Sequence, residues 1–453
     1  MASARSYILF LSIFSLAFAL GEAQQTNSNI SLEATLHPST NPTSWLSPNG
    51  HFAFGFYPEG TGFAIGTWLV ASPDNTTVIW TADRDDPPVT KDAVLNLTSE
   101  GLKLLLQHSE GRLISQLPPN TVASSASMLD SGNFVIYDSN FKVIWETFVN
   151  PTDTIMAGQV LRNGYNLVSS ASETDHSSGK FQLSMQPDGN LVQYPVASAH
   201  YPQDANYASG TEGDGYLSLY LDDNGWLYLH QGNVTSNLTS GYRHGTALVY
   251  RATLGVDGIF RLYSHDLELN TEQVLKEFAE VTDPCEVQGT CGLNSYCTSA
   301  NGQAVVCMCL PGFDYLDTNR TSSGCRRNIT TAAGCYLSND NMTYMSTLES
   351  VIWMVDPYGE PLSVTSKEDC GEACLKDCNC DAALFSDNTC LKLVFPLRYG
   401  KTDDSTTTFI KLSNRSAGGR PEINSRPESP SAAPIITDNF SSLIISFSSN
   451  KNK

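Results

Sequence analysis

The stretch Gln186-Pro187-Asp188-Gly189-Asn190-Leu191-Val192-Gln193-Tyr194 decides the fold class and supplies the best candidate site. Pro-Asp-Gly is a turn signal, and the residues after it are typical of a short strand. Side chains alternate between the two faces of an extended chain. If the strand runs the whole way, one face therefore carries Gln186, Asp188, Asn190, Val192 and Tyr194.

That face would combine a carboxylate acceptor, two amides, a phenol and a small apolar wall. Such a set suits a neutral polyhydroxyl ligand such as a sugar, whose neighbouring hydroxyls need both donors and acceptors. It offers no base and no cation, so it suits a nucleophile or a phosphate poorly. The alternative is a β-hairpin in which the same residues only form the turn and pack.

The hairpin has two weaker copies in the chain, Asp130-Ser131-Gly132-Asn133-Phe134-Val135-Ile136-Tyr137 and Asp222-Asp223-Asn224-Gly225-Trp226-Leu227-Tyr228-Leu229. The first keeps Asn-x-Val-x-Tyr, and the second keeps the turn but loses the polar face. Repeated hairpins predict two related β domains that divide near residue 153.

Residues 24–280 contain no cysteine and consist of short apolar or alternating runs separated by Gly, Asn, Asp and Pro. This pattern predicts an all-β fold held together by core packing. The predicted strands are His51–Tyr57, Phe63–Val70, Thr77–Trp80, Leu102–Gln107, Phe134–Tyr137, Lys142–Trp145, Phe181–Met185, Gly215–Leu221, Trp226–His230 and Ile259–Tyr263.

The first residues, 1–23, have the pattern of a secretory signal peptide: Arg5, an apolar run from Tyr7 to Leu20, and small residues at its end. We therefore expect a secreted, extracellular protein. Many Asn-x-Ser/Thr sequons agree with this compartment. The predicted glycosylation sites are Asn29, Asn75, Asn96, Asn233, Asn237, Asn319, Asn328, Asn341, Asn414 and Asn439.

The 453 residues carry a net charge of −21, which argues against nucleic-acid binding through phosphate neutralisation. No later apolar run is long enough to cross a bilayer, and the best candidate, at Leu443–Phe447, is far too short. Without a span in this sequence, we expect the mature chain to be soluble.

Four further segments carry a family resemblance: His51-Phe52-Ala53-Phe54-Gly55-Phe56, Gly66-Thr67-Trp68, Val78-Ile79-Trp80-Thr81-Ala82-Asp83-Arg84-Asp85 and Trp145-Glu146-Thr147-Phe148-Val149-Asn150-Pro151-Thr152-Asp153-Thr154. Together with the opening stretch, they resemble the ectodomain of plant G-type lectin S-receptor-like serine/threonine-protein kinases and S-locus glycoproteins. The resemblance implies two bulb-type mannose-binding lectin domains with a β-prism fold, at residues 24–153 and 154–280.

In that family, Gln-x-Asp-x-Asn-x-Val-x-Tyr is the mannose-site motif, and residues 186–194 match it at every stated position. The resemblance implies that the polar residues bind sugar hydroxyls and that Val192 packs on the ring. The first copy departs from the motif, since Leu129 replaces Gln and Ser131 replaces Asp, so we expect its site to be lost or altered. Asp83 stands where the family usually has Asn, and these domains lack the internal disulfide of many bulb lectins.

All twelve cysteines lie between 285 and 390, which in a secreted chain predicts disulfides rather than a zinc site. The first six resemble an EGF-like module at 281–327, and the resemblance implies the pairs Cys285–Cys297, Cys291–Cys307 and Cys309–Cys325. The acidic pattern of a calcium-binding EGF module is not evident, so we predict no calcium.

The second six cysteines resemble a PAN/apple module at 333–412 with mixed α and β structure. The resemblance implies the pairs Cys370–Cys390 and Cys374–Cys380, which leaves Cys335 with Cys378, although the sequence alone leaves other connectivities open. Ser366 to Asp369 is typical of a helix start, with Ser as the cap and Asp reaching back. Cys370 and Cys374 would then lie one turn apart on one helix face.

Residues 413–453 are rich in Ser, Pro and Asn and predict a disordered tail. The sequence contains no Gly-rich phosphate loop, His-Arg-Asp catalytic loop or Asp-Phe-Gly segment, so it predicts no catalytic residue and no kinase activity for these residues. Scattered histidines such as His37, His108 and His200 are predicted to be surface or loop residues. No cofactor and no metal are expected.

Two functions remain open from the sequence. The first is an extracellular lectin that recognises mannose-type glycans or glycoproteins. The second is a protein-interaction ectodomain or decoy that binds a peptide or a cell-surface receptor kinase, with degenerate lectin sites, or a truncated form of a membrane receptor kinase. An enzyme is disfavoured, since no nucleophile elbow or metal-ligand spacing appears. A homodimer remains open.

Overall fold

A computed structural model describes residues 29–72, 75–107, 111–242, 247–279, 281–300, 304–327, 341–354, 357 and 359–415. The predicted signal peptide, Asn328, Cys335 and Asn439 lie outside these residues. Within them, the regular secondary structure is mainly β-strand, with one α-helix. The mainly β, multidomain fold class predicted from the sequence is confirmed.

The first twelve strands form a unit of three four-stranded antiparallel sheets, here called the first prism. Its sheets have the orders β1-β10-β11-β12, β2-β7-β8-β9 and β3-β4-β5-β6. The strands are β1 (Ile30–Ser31), β2 (Thr35–Leu36), β3 (Ser44–Leu46), β4 (Phe52–Glu59), β5 (Gly62–Ser72), β6 (Asn75–Thr81), β7 (Val94–Thr98), β8 (Gly101–Leu105), β9 (Arg112–Leu113), β10 (Ser125–Met128), β11 (Phe134–Tyr137) and β12 (Val143–Glu146).

The next twelve strands repeat this topology and form the second prism. Its sheets have the orders β13-β22-β23-β24, β14-β19-β20-β21 and β15-β16-β17-β18, so each strand corresponds to the one twelve positions earlier. The strands are β13 (Thr154–Met156), β14 (Val160–Leu161), β15 (Asn166–Ser172), β16 (Asp175–Met185), β17 (Leu191–Pro195), β18 (Tyr207–Ala208), β19 (Ser218–Leu221), β20 (Leu227–Gln231), β21 (Val234–Asn237), β22 (Leu248–Leu254), β23 (Phe260–Asp266) and β24 (Thr271–Glu277).

Each prism encloses its own apolar core where the inward faces of its three sheets meet. The first core is aromatic at its centre, where the rings of Phe54 and Phe134 lie 3.8 Å apart and Trp45 stacks beside them. The second is mainly aliphatic, with Phe181, Phe260 and several buried leucines. Burial of apolar surface stabilises each core by about 25 cal/mol per Å², so neither prism needs a disulfide.

Every strand predicted in this region overlaps an observed strand. Sequence reasoning missed the short opening strands of both prisms, such as β1, β2 and β14, and also the longer strands β7, β15, β22 and β24. A strand of two residues has no alternation to detect, and it is defined by the partner that pairs with it.

Arg84 of the first prism joins the two prisms. Its guanidinium, with the side chain only 10% exposed, donates to the carbonyl oxygens of Val168 (2.8 Å) and His176 (2.6 Å) and to the hydroxyl of Ser170 (3.0 Å). Asp153 lies 4.0 Å from it and accepts from the same Ser170 hydroxyl. A first-prism cation therefore satisfies backbone oxygens that the β15–β16 hairpin of the second prism would otherwise leave unpaired.

The cysteine-rich region contains the remaining strands and the helix α1 (Lys367–Leu375). The short 3₁₀ turns of the chain are Thr147–Val149, Pro202–Asp204, Pro284–Glu286 and Thr321–Ser323. The strands are β25 (Ser295–Ala300), β26 (Ala304–Cys309), β27 (Phe313–Tyr315), β28 (Cys325–Arg327), β29 (Asn341–Ile352), β30 (Leu362–Ser363), β31 (Ala382–Ser386), β32 (Thr389–Leu393) and β33 (Gly400–Arg415).

One seven-stranded sheet includes strands from both predicted modules of the described cysteine-rich region, and β27 and β28 form a separate two-stranded sheet. β25 pairs in parallel with β33 through Tyr296 and Gly400, so the two predicted modules share backbone hydrogen bonds instead of being joined only by a linker. β33 also corrects the predicted start of the tail at residue 413. It continues to Arg415, because its last residues pair with the start of β29.

Five disulfides are present among the described residues: Cys285–Cys297, Cys291–Cys307, Cys309–Cys325, Cys370–Cys390 and Cys374–Cys380. These are the pairs that the family resemblance implied. The remaining predicted pair, Cys335–Cys378, includes a residue outside the described range.

Helix α1 begins as predicted, with the Ser366 hydroxyl accepting from the backbone N–H of Asp369 at 3.2 Å. Asp369 in turn accepts from the Thr365 hydroxyl at 2.7 Å. Cys370 and Cys374 are fully buried on one helix face, and each is bonded to a cysteine outside the helix. Among the described residues, no helix has the length and apolar character needed to cross a membrane.

Candidate carbohydrate-binding site

The candidate site lies on the hairpin that joins β16 to β17, the two central strands of their sheet. The backbone N–H of Gln186 donates to the carbonyl of Asn190 (2.9 Å), and that of Gly189 donates to the carbonyl of Gln186 (3.0 Å). Gly189 has a φ of +94°, and a Cβ there would come within 2.3 Å of the Gly215 oxygen. This turn therefore requires glycine both for its backbone conformation and for space.

The same pair of turn hydrogen bonds recurs at residues 129–133, 222–226 and 255–259. Each copy joins the two central strands of a four-stranded sheet, and each has a glycine with positive φ at its fourth position. The first two are the weaker copies that the sequence indicates. The third, Gly255-Val256-Asp257-Gly258-Ile259, was missed, although its Asp-Gly pair was an available turn signal.

Asn190 holds the hairpin to the end of the neighbouring strand. Its Oδ1 accepts from the Ser209 hydroxyl (2.9 Å) and from the backbone N–H groups of Gly210 (3.1 Å) and Thr211 (3.3 Å). Its side-chain oxygen is therefore already hydrogen-bonded within the protein. Its amide nitrogen has no hydrogen-bond partner among the described residues and is left for a ligand.

Asn133 has the same structural role in the first prism, where its Oδ1 accepts from the Thr147 hydroxyl (3.1 Å) and the backbone N–H of Phe148 (3.2 Å). There, however, the amide nitrogen donates to Glu146 at 2.6 Å. Both functions of this amide are therefore used within the protein. The first copy therefore has one of its two amide N–H donors already bonded, whereas neither donor of Asn190 has a partner among the described residues.

The structure does not support a single extended face from Gln186 to Tyr194. Residues 186–190 form a turn, and β17 begins only at Leu191, so Asp188 and Asn190 are oriented by turn geometry instead of by strand alternation. Asp188 is exposed, and one of its oxygens accepts from the backbone N–H of Asn190 at 3.0 Å. Its other oxygen has no partner among the described residues.

Gln186, Val192 and Tyr194 do share one face of the sheet. The Gln186 amide donates to the Tyr194 hydroxyl at 3.4 Å, a weak contact that a ligand hydroxyl could replace. Val192 and Tyr194 are almost completely buried, with 2% and 4% of their surfaces exposed. The open part of the site is therefore its hairpin end, at Asp188 and Asn190.

His200 covers the other end of this face. Its ring stacks on Tyr194 with 5.0 Å between centroids, and its Nε2 lies 2.6 Å from the Gln182 amide nitrogen. His200 is exposed, in a loop, as the sequence predicted, but its contact with Tyr194 was missed. The loop at 196–206 shows no periodicity that would place any of its residues on the strand.

The hydroxyl groups that support the hairpin were also missed. Ser209 accepts from the backbone N–H of Leu191 (2.9 Å), and Thr147 and Thr239 do the same for Phe134 (3.0 Å) and Leu227 (2.8 Å) in two other copies. A Ser or Thr that follows the hairpin was therefore an available signal of the supporting hydroxyl. It was missed because its distance from the hairpin along the chain varies between the copies.

The electrostatics of the site are simple. Asp188 supplies the only negative charge among the five motif residues, and none of the five is cationic. On the adjacent strand β18, burial raises the pKa of Tyr207 to about 12, so its phenol stays neutral. No group of three or more potential metal ligands occurs in the described part of the chain. These residues can donate and accept hydrogen bonds with a neutral ligand.

Comparisons with known proteins show similarity to lectins and to receptor-like kinases. The family described as D-mannose binding lectin matches residues 77–180. That match covers most of the first prism and the start of the second, and it ends before Gln186.

Longer similarity is found to plant receptor-like kinases. The chain is 32% identical over 438 residues to the G-type lectin S-receptor-like serine/threonine-protein kinase LECRK2 of Oryza sativa subsp. japonica, covering 89% of this chain and 53% of the relative. It is 27% identical to the kinase At5g24080 of Arabidopsis thaliana, covering 91% of this chain and 51% of the relative. The chain thus spans about half the length of these curated relatives.

Solved structures with similarity include a monomeric mannose-binding lectin from Gastrodia elata, at 23% identity, a TM-score of 0.22, and coverage of 28% of this chain and 97% of that lectin. The snowdrop (Galanthus nivalis) mannose-specific agglutinin has 24% identity, a TM-score of 0.20, and coverage of 25% and 91%. At these TM-scores the β-prism assignment rests on the sheet topology described above. Residues 77–180 thus match the D-mannose binding lectin family, and about 90% of the chain is similar to the plant G-type lectin S-receptor-like serine/threonine-protein kinases.

Proposed function

We propose that this protein is an extracellular carbohydrate-binding recognition protein that binds mannose-type glycans at the hairpin end of the second prism. The observation that carries the proposal is the pair of free polar atoms on one turn, the second carboxylate oxygen of Asp188 and the amide nitrogen of Asn190. An acceptor beside a donor is the arrangement that a pair of vicinal sugar hydroxyls requires.

In this proposal, Asp188 accepts from the axial hydroxyl of mannose, and Asn190 donates to the same hydroxyl or its neighbour. Gln186 and Tyr194 exchange their weak mutual contact for hydrogen bonds to the sugar, and Val192 lies beneath the ring. The Asn190 oxygen is already held by three donors, so the nitrogen is oriented before the ligand arrives. Preorganisation of this kind reduces the entropy lost on binding.

A small, open site of this kind should bind a single sugar weakly, with a Kd in the millimolar range, on the order of −4 kcal/mol. Useful affinity would then require clustered chains or multivalent glycans. Full engagement of Tyr194 also requires the His200 ring to move, because it covers that phenol.

Calorimetric titration with a multivalent mannoside tests the proposal. Asp188→Ala should weaken binding by about 1–3 kcal/mol, since it removes the acceptor and leaves the sugar hydroxyl unpaired. Ser131→Ala, at the equivalent place in the first prism, is the matched control and should bind like the unmodified protein. Equal affinities for Asp188→Ala and the unmodified protein would remove this site from consideration.

The compartment and module organisation belong to the same proposal. Five disulfides require an oxidising environment, and the sequon residues Asn29, Asn233, Asn237 and Asn319 are exposed. We therefore propose a secreted or cell-surface protein. Its proposed order is a bulb-type lectin domain (24–153), a second lectin-like domain (154–280), an EGF-like module (281–327) and a PAN/apple module (333–412).

A cleft between modules favours protein recognition as a second candidate function. A cavity of about 560 Å³ lies between the first prism, the β15–β16 hairpin and the EGF-like region, with Arg112, Asp175, His176 and Arg320 among its lining residues. Alternating charges on a concave surface suit a polar peptide or a partner receptor. Capture of a receptor kinase ectodomain by Asp188→Ala as strongly as by the unmodified protein would favour this candidate over the lectin.

A further inference from the structure

A cluster of aromatic side chains covers the outward face of the sheet β14-β19-β20-β21. The rings of Tyr220 and Tyr228 stack with 5.4 Å between centroids and 11° between planes. Trp226 lies 4.4 Å from Tyr228, and His230 lies 6.3 Å from it. All four side chains are half-buried, whereas Leu227 and Leu229 between them point into the core. We call these four residues the aromatic face.

The aromatic face takes the position that the candidate sugar site has on the neighbouring sheet. Both lie beside the same type of hairpin, and Trp226 follows its turn glycine as Asn190 follows Gly189. Tyr228 then corresponds to Val192. The sheet has exchanged polar hydrogen-bonding groups for flat apolar rings, which changes the kind of contact it can make with a sugar.

The strand register places an N-glycosylation sequon directly beside this face. Val160 pairs with Tyr220, Tyr220 with Tyr228, and Tyr228 with Asn237, so these residues form one row across the sheet. Directly paired residues of antiparallel strands point to the same side. Asn237 is exposed and begins the sequon Asn237-Leu238-Thr239.

The sequon is also held in a fixed position. Leu238 packs against the second core, and the Thr239 hydroxyl accepts from the backbone N–H of Leu227 (2.8 Å) and donates to the carbonyl of Gly225 (3.1 Å). Asn237 therefore cannot swing away from the aromatic face. It lies at the end of β21, an edge strand whose residues are mostly exposed.

We propose that the protein's own N-glycan packs on the aromatic face. The first N-acetylglucosamine on Asn237 stacks on Tyr228, and the glycan extends toward Tyr220. Neighbouring strands lie about 5 Å apart, so Tyr228 is within reach of the first sugar and Tyr220, about 10 Å away, within reach of the second. The C–H groups on one side of a sugar ring present a weakly positive apolar surface, which complements the negative face of an aromatic ring.

This inference is independent of the proposed mannose site, which lies on another sheet. It assigns the aromatic face to a covalently attached glycan instead of an external one, so the two similar hairpins have opposite roles. The glycan would also shield the exposed edge of β21 from pairing with another chain.

Asn233 offers a matched control within the same hairpin. It also begins a sequon and is exposed, but it lies at the tip between β20 and β21 and pairs with no aromatic residue. A glycan on Asn233 should add solubility without stacking on the aromatic face. Comparison of the two sites therefore separates stacking from the general effect of a glycan.

The test uses the secreted full chain from a glycosylating plant host, with site occupancy measured by peptide mass spectrometry. Asn237→Gln should lower the Tm of the second prism by about 2–4 °C, and Asn233→Gln should leave it unchanged. In a Tyr228→Ser background, Asn237→Gln should cause no further shift, because the stacking partner is already missing.

A second measurement begins with the unmodified protein. Enzymatic trimming of the folded protein to a single N-acetylglucosamine should preserve the Tm, and ring protons of that sugar should show upfield NMR shifts that Tyr228→Ser abolishes. An unoccupied Asn237 or additive Tm shifts in the double variant would overturn the proposal. So would mannoside binding that appears in Asn237→Gln and disappears with Tyr228→Ser, since the face would then serve external glycans.

Discussion

The hairpins at residues 129–133 and 186–190 have the same backbone turn and the same glycine, and each uses its asparagine oxygen to hold the neighbouring strand. They differ in the amide nitrogen of that asparagine. In the first prism it donates to Glu146, and in the second it has no partner among the described residues. The motif asparagine is therefore first a structural residue. Its recurrence does not by itself indicate a sugar site.

A second difference lies in what covers each hairpin. The connection from β11 to β12 spans only residues 138–142, whereas that from β17 to β18 spans 196–206 and places His200 on Tyr194. The second prism has therefore kept its polar atoms at the turn but covered the far end of its polar face. A repeat can preserve its backbone while loops and single side chains change what each copy can bind.

The largest expected effect is a loss of stability when the contact between the two prisms is removed. Arg84→Met should destabilise the protein by about 3–5 kcal/mol, because it leaves buried carbonyl oxygens and Asp153 without their cation. The measurement is urea unfolding followed by tryptophan fluorescence.

Arg112→Met is the control for Arg84→Met, since Arg112 pairs with Asp83 and Asp86 and its side chain is 38% exposed. Surface pairs of this kind contribute about 0–1 kcal/mol. Equal losses for both variants would mean that Arg84 does not couple the prisms.

A smaller effect tests the shared role of the two asparagines. Asn133→Ala and Asn190→Ala should each lower the free energy of unfolding by about 2 kcal/mol, since each leaves donors of the turn and the adjacent strand unpaired. Asn224→Ala, at an exposed turn position, should change it by less than about 0.5 kcal/mol. If Asn190→Ala retained full stability and lost only sugar binding, the structural role assigned to Asn190 would be wrong.

The smallest effect is a gain of binding in the first prism. Leu129→Gln combined with Ser131→Asp and Glu146→Ala restores the missing motif positions and frees the Asn133 amide nitrogen. One added hydrogen bond is worth about 1 kcal/mol, so affinity for mannoside at this hairpin should increase roughly fivefold. The same graft with Glu146 retained should show a smaller gain by calorimetry, because one N–H of the Asn133 amide stays bonded to Glu146.

Local patterns allowed much of the fold to be predicted. Alternation located several of the longer strands, Asp-Gly and Ser-Gly pairs located turns, and the capping pattern at Ser366 located the start of α1, because each depends on residues close in sequence. The candidate residues 186–194 were identified in the same way. Their division into a turn and a strand was not predicted, since the alternation of side chains assumed for the strand can be continued through the turn residues of the sequence.

Contacts that determine the state of the site could not be read from the sequence. Glu146 lies thirteen positions after Asn133 in the chain, and His200 reaches Tyr194 from a loop without periodicity. The hydrogen bond from Arg84 to Val168 connects residues more than eighty positions apart. Such contacts depend on how the sheets close into a prism and how two prisms meet, which no local rule specifies.

By itself, the sequence determined the strand-rich architecture, the repeated hairpins and the presence of donors and acceptors suited to a sugar, because hydrophobic periodicity and turn chemistry act over a few residues. The tertiary structure decided which of those groups remain free. The Asn190 oxygen accepts a hydrogen bond from Ser209, and the Asn133 nitrogen donates one to Glu146. The second oxygen of Asp188 and the Asn190 nitrogen are left available at the second-prism turn, because no described residue brings a partner to them.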